Sequence, residues 1–309
     1  MIKRFCLSAL VLVSLAAAII YFSYSSFRKE RLGELESGSQ LVETSRGPIE
    51  YRIIGDSGPY LLYAHGRPGG YDHGFTIPGF RVLVPSRPGY LRTPLSVGRT
   101  PEEQAHGYAV LLDSLSIGQV FVLGISGGGP SAISFAALYP QRTVALAAFA
   151  AVSRPIEPDK AELAFMQSDF LLWATFTTMR NSLVKRRLVD LLVRDPETRA
   201  TIGSAASLMS LWPVSRRQAG NENDETQFQT LDLMDGREVT VPTLIIHGTD
   251  DANVPFSHSQ RLANQIPTAV FHAIEGGTHW FLSTHKEEVD KTVAEFVQSV
   301  VAGAGGQEG

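Results

Sequence analysis

The chain opens on an uncharged run, residues 5–27, bounded by Lys3-Arg4 on one side and Arg28-Lys29 on the other. Its centre reads Leu10-Val11-Leu12-Val13-Ser14-Leu15-Ala16-Ala17-Ala18-Ile19-Ile20. A helix of about 20 apolar residues crosses the hydrocarbon core of a bilayer. Tyr21, Phe22, Tyr24 and Phe27 cluster at the far end, as an interfacial aromatic belt would. An uncleaved membrane anchor and a cleaved signal peptide compete for this segment, with a buried helix as the plain alternative. The alanines are followed by Ile19, Ile20 and Tyr21, a poor cleavage context, which favours the anchor. Basic residues flank both ends and orient it only weakly; the expected arrangement has the N-terminus inside and the main domain outside. Residues 28–42 read as a polar linker.

From residue 43 the pattern changes to short apolar runs alternating with helical periodicity. Residues 44–54 read as a hairpin around Arg46-Gly47-Pro48, with Ile49, Tyr51 and Ile53 on one face. Continuous apolar runs at 60–64, 81–85, 120–123, 144–152, 243–246 and 269–274 have the mark of strands buried on both faces. Thr100-Pro101-Glu102-Glu103 is a capping box that starts a helix ending near Gly118. A second helix runs from about 128 to 138, halted by Pro140, and a last one starts at the box Thr284-His285-Lys286-Glu287. Residues 153–238 break the rhythm. They hold a long helical pattern over 161–193 and a polar stretch, Gly220-Asn221-Glu222-Asn223-Asp224-Glu225. The expectation is an α/β chain with a mostly parallel, doubly wound sheet. Its core would be 43–152 and 239–301, with a helical cap at 153–238 and a flexible tail at 302–309.

Composition narrows the class. Of 309 residues, 44% are hydrophobic, enough for a sizeable core. The net charge of −4 carries no basic excess, so no nucleic-acid partner is expected. Cys6 is the only cysteine, which excludes an internal disulfide and a thiolate metal cluster. No metal or organic cofactor is expected, and the oligomeric state is not legible.

The chemistry concentrates after the strand at 120–123, which runs into Gly124-Ile125-Ser126-Gly127-Gly128 and then a helix. This is G-x-S-x-G in strand–turn–helix context, where a sharp turn lifts the serine hydroxyl above the sheet edge. A glycine-rich turn or phosphate loop is the bland alternative, but the Lys-Ser/Thr ending of a P-loop is missing. A serine nucleophile needs a histidine base and a carboxylate to orient it. Among eight histidines, His279 stands out, in the loop Gly276-Gly277-Thr278-His279-Trp280 between the last strand and the last helix. His247, at the end of a strand, reads as structural. The acid is Asp250 or Asp251, adjacent in Gly248-Thr249-Asp250-Asp251. An early loop, Ala64-His65-Gly66-Arg67-Pro68-Gly69-Gly70, can offer a backbone N–H to an oxyanion. Pro68 has none, so Arg67 is the candidate, with Gly127 as the second donor.

With these motifs in order, the chain resembles an α/β-hydrolase over about 43–301. The matching pieces are His65-Gly66-Arg67-Pro68-Gly69, Ser86-Arg87-Pro88-Gly89-Tyr90, Gly124 to Gly128, Gly248-Thr249-Asp250-Asp251 and Gly277-Thr278-His279. The family's usual spacing selects Asp251 and leaves Asp250 as fallback. Family members often carry Asp where Ser86 stands, a change in a structural turn. Arg67 replaces a glycine of proline iminopeptidases, which also tend to carry Trp where Gly127 stands, and perhydrolase-like members tend to have Met there. Serine at 126 argues against dehalogenase or epoxide hydrolase chemistry.

The resemblance implies a serine hydrolase for a small ester or acyl substrate, with Ser126, His279 and Asp251 as its triad, and the N-terminal run makes the expected enzyme membrane-anchored. Phe165, Phe170, Leu171, Trp173 and Phe176 could line a pocket under the cap. The alternatives are an aminopeptidase or amidase, with Glu157, Asp159 or Glu162 holding an ammonium, and a non-catalytic binding protein on the same fold.

Overall fold

The structure, a computed structural model, describes residues 2–156, 168–179, 210–231 and 236–305. It opens on α1 (Ile2–Ser37), an unbroken helix of 36 residues, roughly 54 Å long at 1.5 Å per residue. Its apolar part is long enough to cross a membrane, and none of the span window is buried. Strand β1 (Gln40–Thr44) follows almost at once. The stretch expected to be a polar linker, 28–42, is thus helix and the start of a strand. Arg, Lys, Glu and Leu are good helix formers, and Leu35 is buried against one face of the sheet.

The remaining strands are β2 (Gly47–Ile54), β3 (Tyr60–Ala64), β4 (Arg81–Pro85), β5 (Val120–Ile125), β6 (Thr143–Phe149), β7 (Thr243–Gly248) and β8 (Ala269–Ile274). They form one eight-stranded sheet in the order β1-β2-β4-β3-β5-β6-β7-β8. β1 and β2 are antiparallel, β2 pairs antiparallel with β4, and every pair from β4 to β8 is parallel. The expected α/β class with a mostly parallel sheet holds.

Alternate residues of the strands feed two apolar layers. Leu62 and Ala64 join α2 (Pro101–Ser114), α3 (Gly129–Leu138) and α6 (Ser257–Gln265) on one face. Leu61 and Tyr63 join Leu35 and the last helix, α8 (Lys286–Gly305), on the other. The box at Thr100 forms, with its hydroxyl accepting from Glu103 N at 3.2 Å and the Glu103 carboxylate reaching back to Thr100 N at 3.3 Å. The start expected at Thr284 gives way to a one-turn helix, α7 (Phe281–Thr284), ahead of α8. Helix α8 extends to Gly305, into the stretch expected to be flexible.

Two expectations about faces fail. On β2, Ile53 is exposed while Glu50, between Ile49 and Tyr51, is buried. Glu50 is held there by Ser39, Ser86 and Arg92, at 2.7–3.0 Å. Within 153–238, the stretch expected to be a cap, the described α-helices are α4 (Asp169–Met179) and α5 (Gln218–Thr230). Phe170 and Leu171 are exposed rather than lining a pocket, and Trp173 packs on Tyr24 and Phe27 of α1. Phe165, Glu157, Asp159 and Glu162 lie outside the described residues. The polar stretch 220–225 belongs to α5, and Asn221, Asn223 and Asp224 are buried there.

Candidate active site

The chain leaves β3 for β4 on one side, then returns past β3 to place β5 on the other. The crevice beyond the carboxyl ends of β3 and β5 is therefore the switch point where doubly wound sheets bind ligands. Ala64 pairs with Gly124 across that edge, so the loops after the two strands leave side by side.

Ser126 takes the turn after β5 with φ +52°. That region costs a non-glycine residue roughly 1–2 kcal/mol, and the packing around the turn enforces it. A Cβ on Gly128 would overlap the carbonyl of Ala64, so only glycine lets the elbow sit this close to β3. Helix α3 starts at Gly129 and directs its N-terminal dipole at the turn, where negative charge is favoured.

His279 and Asp251 arrive on the loops after β8 and β7. The loops are stitched together by Asp250 N to Gly277 O and Gly276 N to Thr249 Oγ1, both 2.9 Å. His279 Nδ1 donates to Asp251 Oδ2 at 2.7 Å, leaving Nε2 to accept from the Ser126 hydroxyl at 3.1 Å. Asp250 is exposed and turns to Thr249 Oγ1 at 3.4 Å, so of the two candidate acids Asp251 is the one joined to His279.

The acid has a second histidine partner. His247 Nε2 lies 3.1 Å from Asp251 Oδ2 and 2.9 Å from Val254 O. Both neighbours accept, so Nε2 carries the proton, and Nδ1 accepts from the Ser259 hydroxyl at 2.6 Å. The other oxygen, Asp251 Oδ1, accepts from Asn253 N and Val254 N, both at 2.8 Å. Burial alone would push the Asp251 carboxyl up, but the hydrogen bonds from His247 and His279 hold it well below its ordinary range. From the sequence His247 reads as structural; its spacing of four from Asp251 is the signal that ties it to the acid.

The loop after β3 packs beside the serine turn. A Cβ on Gly66 would stand 3.2 Å from Ser126 Cβ, and one on Gly127 would stand 3.5 Å from Arg67 Cβ. Of the two expected donors, Arg67 thus lies next to Gly127, the residue that follows the serine. His65 fixes the loop. Its Nε2 accepts from Arg87 N at 2.9 Å, so Nδ1 carries the proton and donates to Gly66 O at 2.8 Å. Burial and the Arg87 charge push the His65 pKa far down, which keeps this ring neutral.

Residues 217–228 pack against this loop and the segment after β4. Arg217, fully buried, bonds the Gly69 carbonyl and pairs with Asp72 at 2.6 and 3.1 Å. Asp224 of α5 receives Arg87 and, at 2.6 Å, the Tyr90 hydroxyl. Burial works against the Arg87 charge, yet Asp224 more than restores it and holds the guanidinium protonated. Phe228 packs against Gly127, and Glu225 approaches Arg67 at 3.9 Å. Ser86 accepts from Tyr71 N and donates to Glu50. Among the described residues, no group of three His, Cys, Asp or Glu is placed to hold a metal ion.

A family model described as the alpha/beta hydrolase fold matches residues 59–286. The chain belongs to the α/β-hydrolase fold family. Hydrolase activity follows at the level of the family and its named relatives. An uncharacterized hydrolase of Bacillus subtilis, YcgS, is 27% identical over 272 residues, covering 82% of this chain and 96% of its own. A 2-hydroxy-6-oxononadienedioate/2-hydroxy-6-oxononatrienedioate hydrolase of Cupriavidus pinatubonensis is 28% identical, covering 71% of this chain and 76% of its own. Among solved structures, an alpha/beta hydrolase fold protein from Nakamurella multipartita superposes with a TM-score of 0.68 at 33% identity, covering 84% of this chain and 98% of its own.

Proposed function

We propose that this chain is a membrane-anchored serine hydrolase that cleaves carboxylic esters. The observation that carries the reading is the continuous hydrogen-bonded line from Ser126 Oγ through His279 to Asp251, at 3.1 and 2.7 Å. In this mechanism Ser126 Oγ attacks the ester carbonyl while His279 Nε2 takes its proton. Asp251 fixes the tautomer and stabilises the imidazolium, and its hydrogen bond to His247 keeps it ionised and aimed. The N–H groups of Arg67 and Gly127 receive the oxyanion, in the field of the α3 N-terminus. His279 returns the proton to the departing alkoxide, and water then enters by the same base to release the acid.

Phe228 beside Gly127 supports an apolar group next to the scissile carbonyl. The anchor reading draws support from packing. Tyr24 and Phe27 meet cap aromatics, and the Leu35 carbonyl accepts from the Tyr71 hydroxyl at 2.5 Å. Cleavage after the apolar run would discard the first two contacts. The catalytic domain is assigned to the outer side.

The test is turnover by the full chain in detergent. The panel is p-nitrophenyl esters of increasing acyl length, an aminoacyl amide, and a 2-hydroxy-6-oxo acid of the kind named for the Cupriavidus protein. Ester turnover lost in Ser126→Ala is the expected result. Preference for the amide or the oxo acid would replace the ester assignment, and no turnover of any class would favour a binding role.

A further inference from the structure

We infer that the cap itself docks on the bilayer, with Phe170 and Leu171 of α4 inserted at the same interface that the N-terminal anchor crosses. The inference rests on the anchor reading above and adds a second, cap-borne contact with the lipid surface.

Depth along α1 is set by its sequence. The uncharged run ends at Phe27, and the exposed Arg28 and Lys29 follow. The last aromatic turn, Tyr21 to Phe27, therefore lies where hydrocarbon gives way to headgroups, the level favoured by amphipathic rings. Helix α4 is fastened at that level. Tyr24 meets Phe170 and Trp173, each with ring centroids 5.3 Å apart, and Phe27 meets Trp212 at 5.0 Å. Phe170 and Trp173 also contact one another at 5.6 Å.

Farther down, α1 is held by the body of the protein. The Tyr71 hydroxyl bonds the Leu35 carbonyl, and Arg92 reaches Ser39 Oγ at 2.7 Å. The height of α4 along α1 is thus fixed by contacts on both sides. Leu172 and Trp173 turn inward and are buried. Phe170 and Leu171 turn outward, 41% and 60% exposed, and one helical turn before Tyr24 the α1 residues Tyr21 and Phe22 are exposed too. Through the Tyr24–Phe170 contact this patch adjoins the proposed span, so lipid is the occupant that its position selects. The one acid on the described part of α4, Asp169, is engaged by Ser215 N and Oγ at 2.9 and 2.5 Å.

Cys6 is the sole cysteine, so a Cys6→Ser background permits single-site labelling. The full chain is reconstituted in lipid nanodiscs with an environment-sensitive dye at Leu171→Cys, Leu12→Cys or Asp56→Cys. Quenching is read with nitroxides placed shallow or deep in the lipid. We expect the Leu171 dye to shift to the blue and to be quenched severalfold more by the shallow nitroxide than the Asp56 dye. The Leu12 dye should follow the deep nitroxide. A solvent-like Leu171 dye beside a lipid-buried Leu12 dye would overturn cap docking and leave the anchor intact. A solvent-like Leu12 dye would remove the anchor, and cap docking with it.

Discussion

His279 and Asp251 are held by bonds that come from residues 247–279: His247, Ser259, and the backbone of Asn253 and Val254. The loop after β3, which carries Arg67, depends on residues far along the chain. Arg87 reaches Asp224 across 137 positions, and Arg217 reaches Asp72 across 145. The acid–base side is a device of two neighbouring strand ends. The loop proposed to hold the oxyanion is clamped by buried ions from Arg217 and Asp224. Such pairs are costly to break from one partner, because the other is left charged and buried. Disturbing the cap should therefore reach the oxyanion loop before it reaches the histidine.

The largest effect is expected where the two sides meet. Ser126→Ala should lower ester turnover by about 10⁴-fold or more and leave the urea midpoint unchanged. Next is the clamp. Asp224→Ala strands the Arg87 guanidinium and should cost about 3–5 kcal/mol of stability, read by urea unfolding. In the surviving folded fraction kcat should fall, because His65 and the loop it holds lean on Arg87. A stable, fully active Asp224→Ala protein would dissolve the contrast between the two sides.

His247→Phe tests the opposite side. It removes one charge-assisted hydrogen bond to Asp251, worth about 1.5–3 kcal/mol. We expect kcat to fall tenfold or more with KM nearly unchanged, since no group facing substrate is altered. The gentlest probe is pH. His258 is buried, with Nδ1 accepting from Ser153 N at 3.1 Å, and burial together with the nearby Arg154 charge pushes its pKa down to about 4. The unfolded chain then binds a proton that the folded one refuses, so stability falls as pH drops from about 6.5 towards 4. His258→Gln should flatten that slope. Asp251 acts in the same direction lower down. Its depressed pKa contributes stability above the ordinary carboxylate range, and this is lost as pH falls through the native value.

The contrast also explains what could be read from the sequence. Ser126, His279 and the Asp250/Asp251 pair each sit in a local motif whose strand and turn signals are adjacent in the chain. The sheet was equally legible, because β3, β5 and β7 are unbroken apolar runs. Asp224 was hidden in Gly220-Asn221-Glu222-Asn223-Asp224-Glu225, which has the polarity of a loop. Nothing nearby shows that Arg87 and Tyr90 will bury it. Glu50 misled for the same reason, since its partners Ser86 and Arg92 lie more than thirty positions away. Phe170 and Leu171 have helical spacing that suits a pocket lining as well as an outer face. Only the aromatic contacts of Tyr24 with α4 separate the two.

The central claim is that Ser126 is an activated nucleophile. The direct test treats the folded full chain with a fluorophosphonate, beside Ser126→Ala and His279→Ala, and maps the modified residue by mass spectrometry. We predict labelling at Ser126 in the wild type and none in either variant. A folded wild-type protein unlabelled at Ser126, or a His279→Ala protein labelled as fast as wild type, would contradict the account.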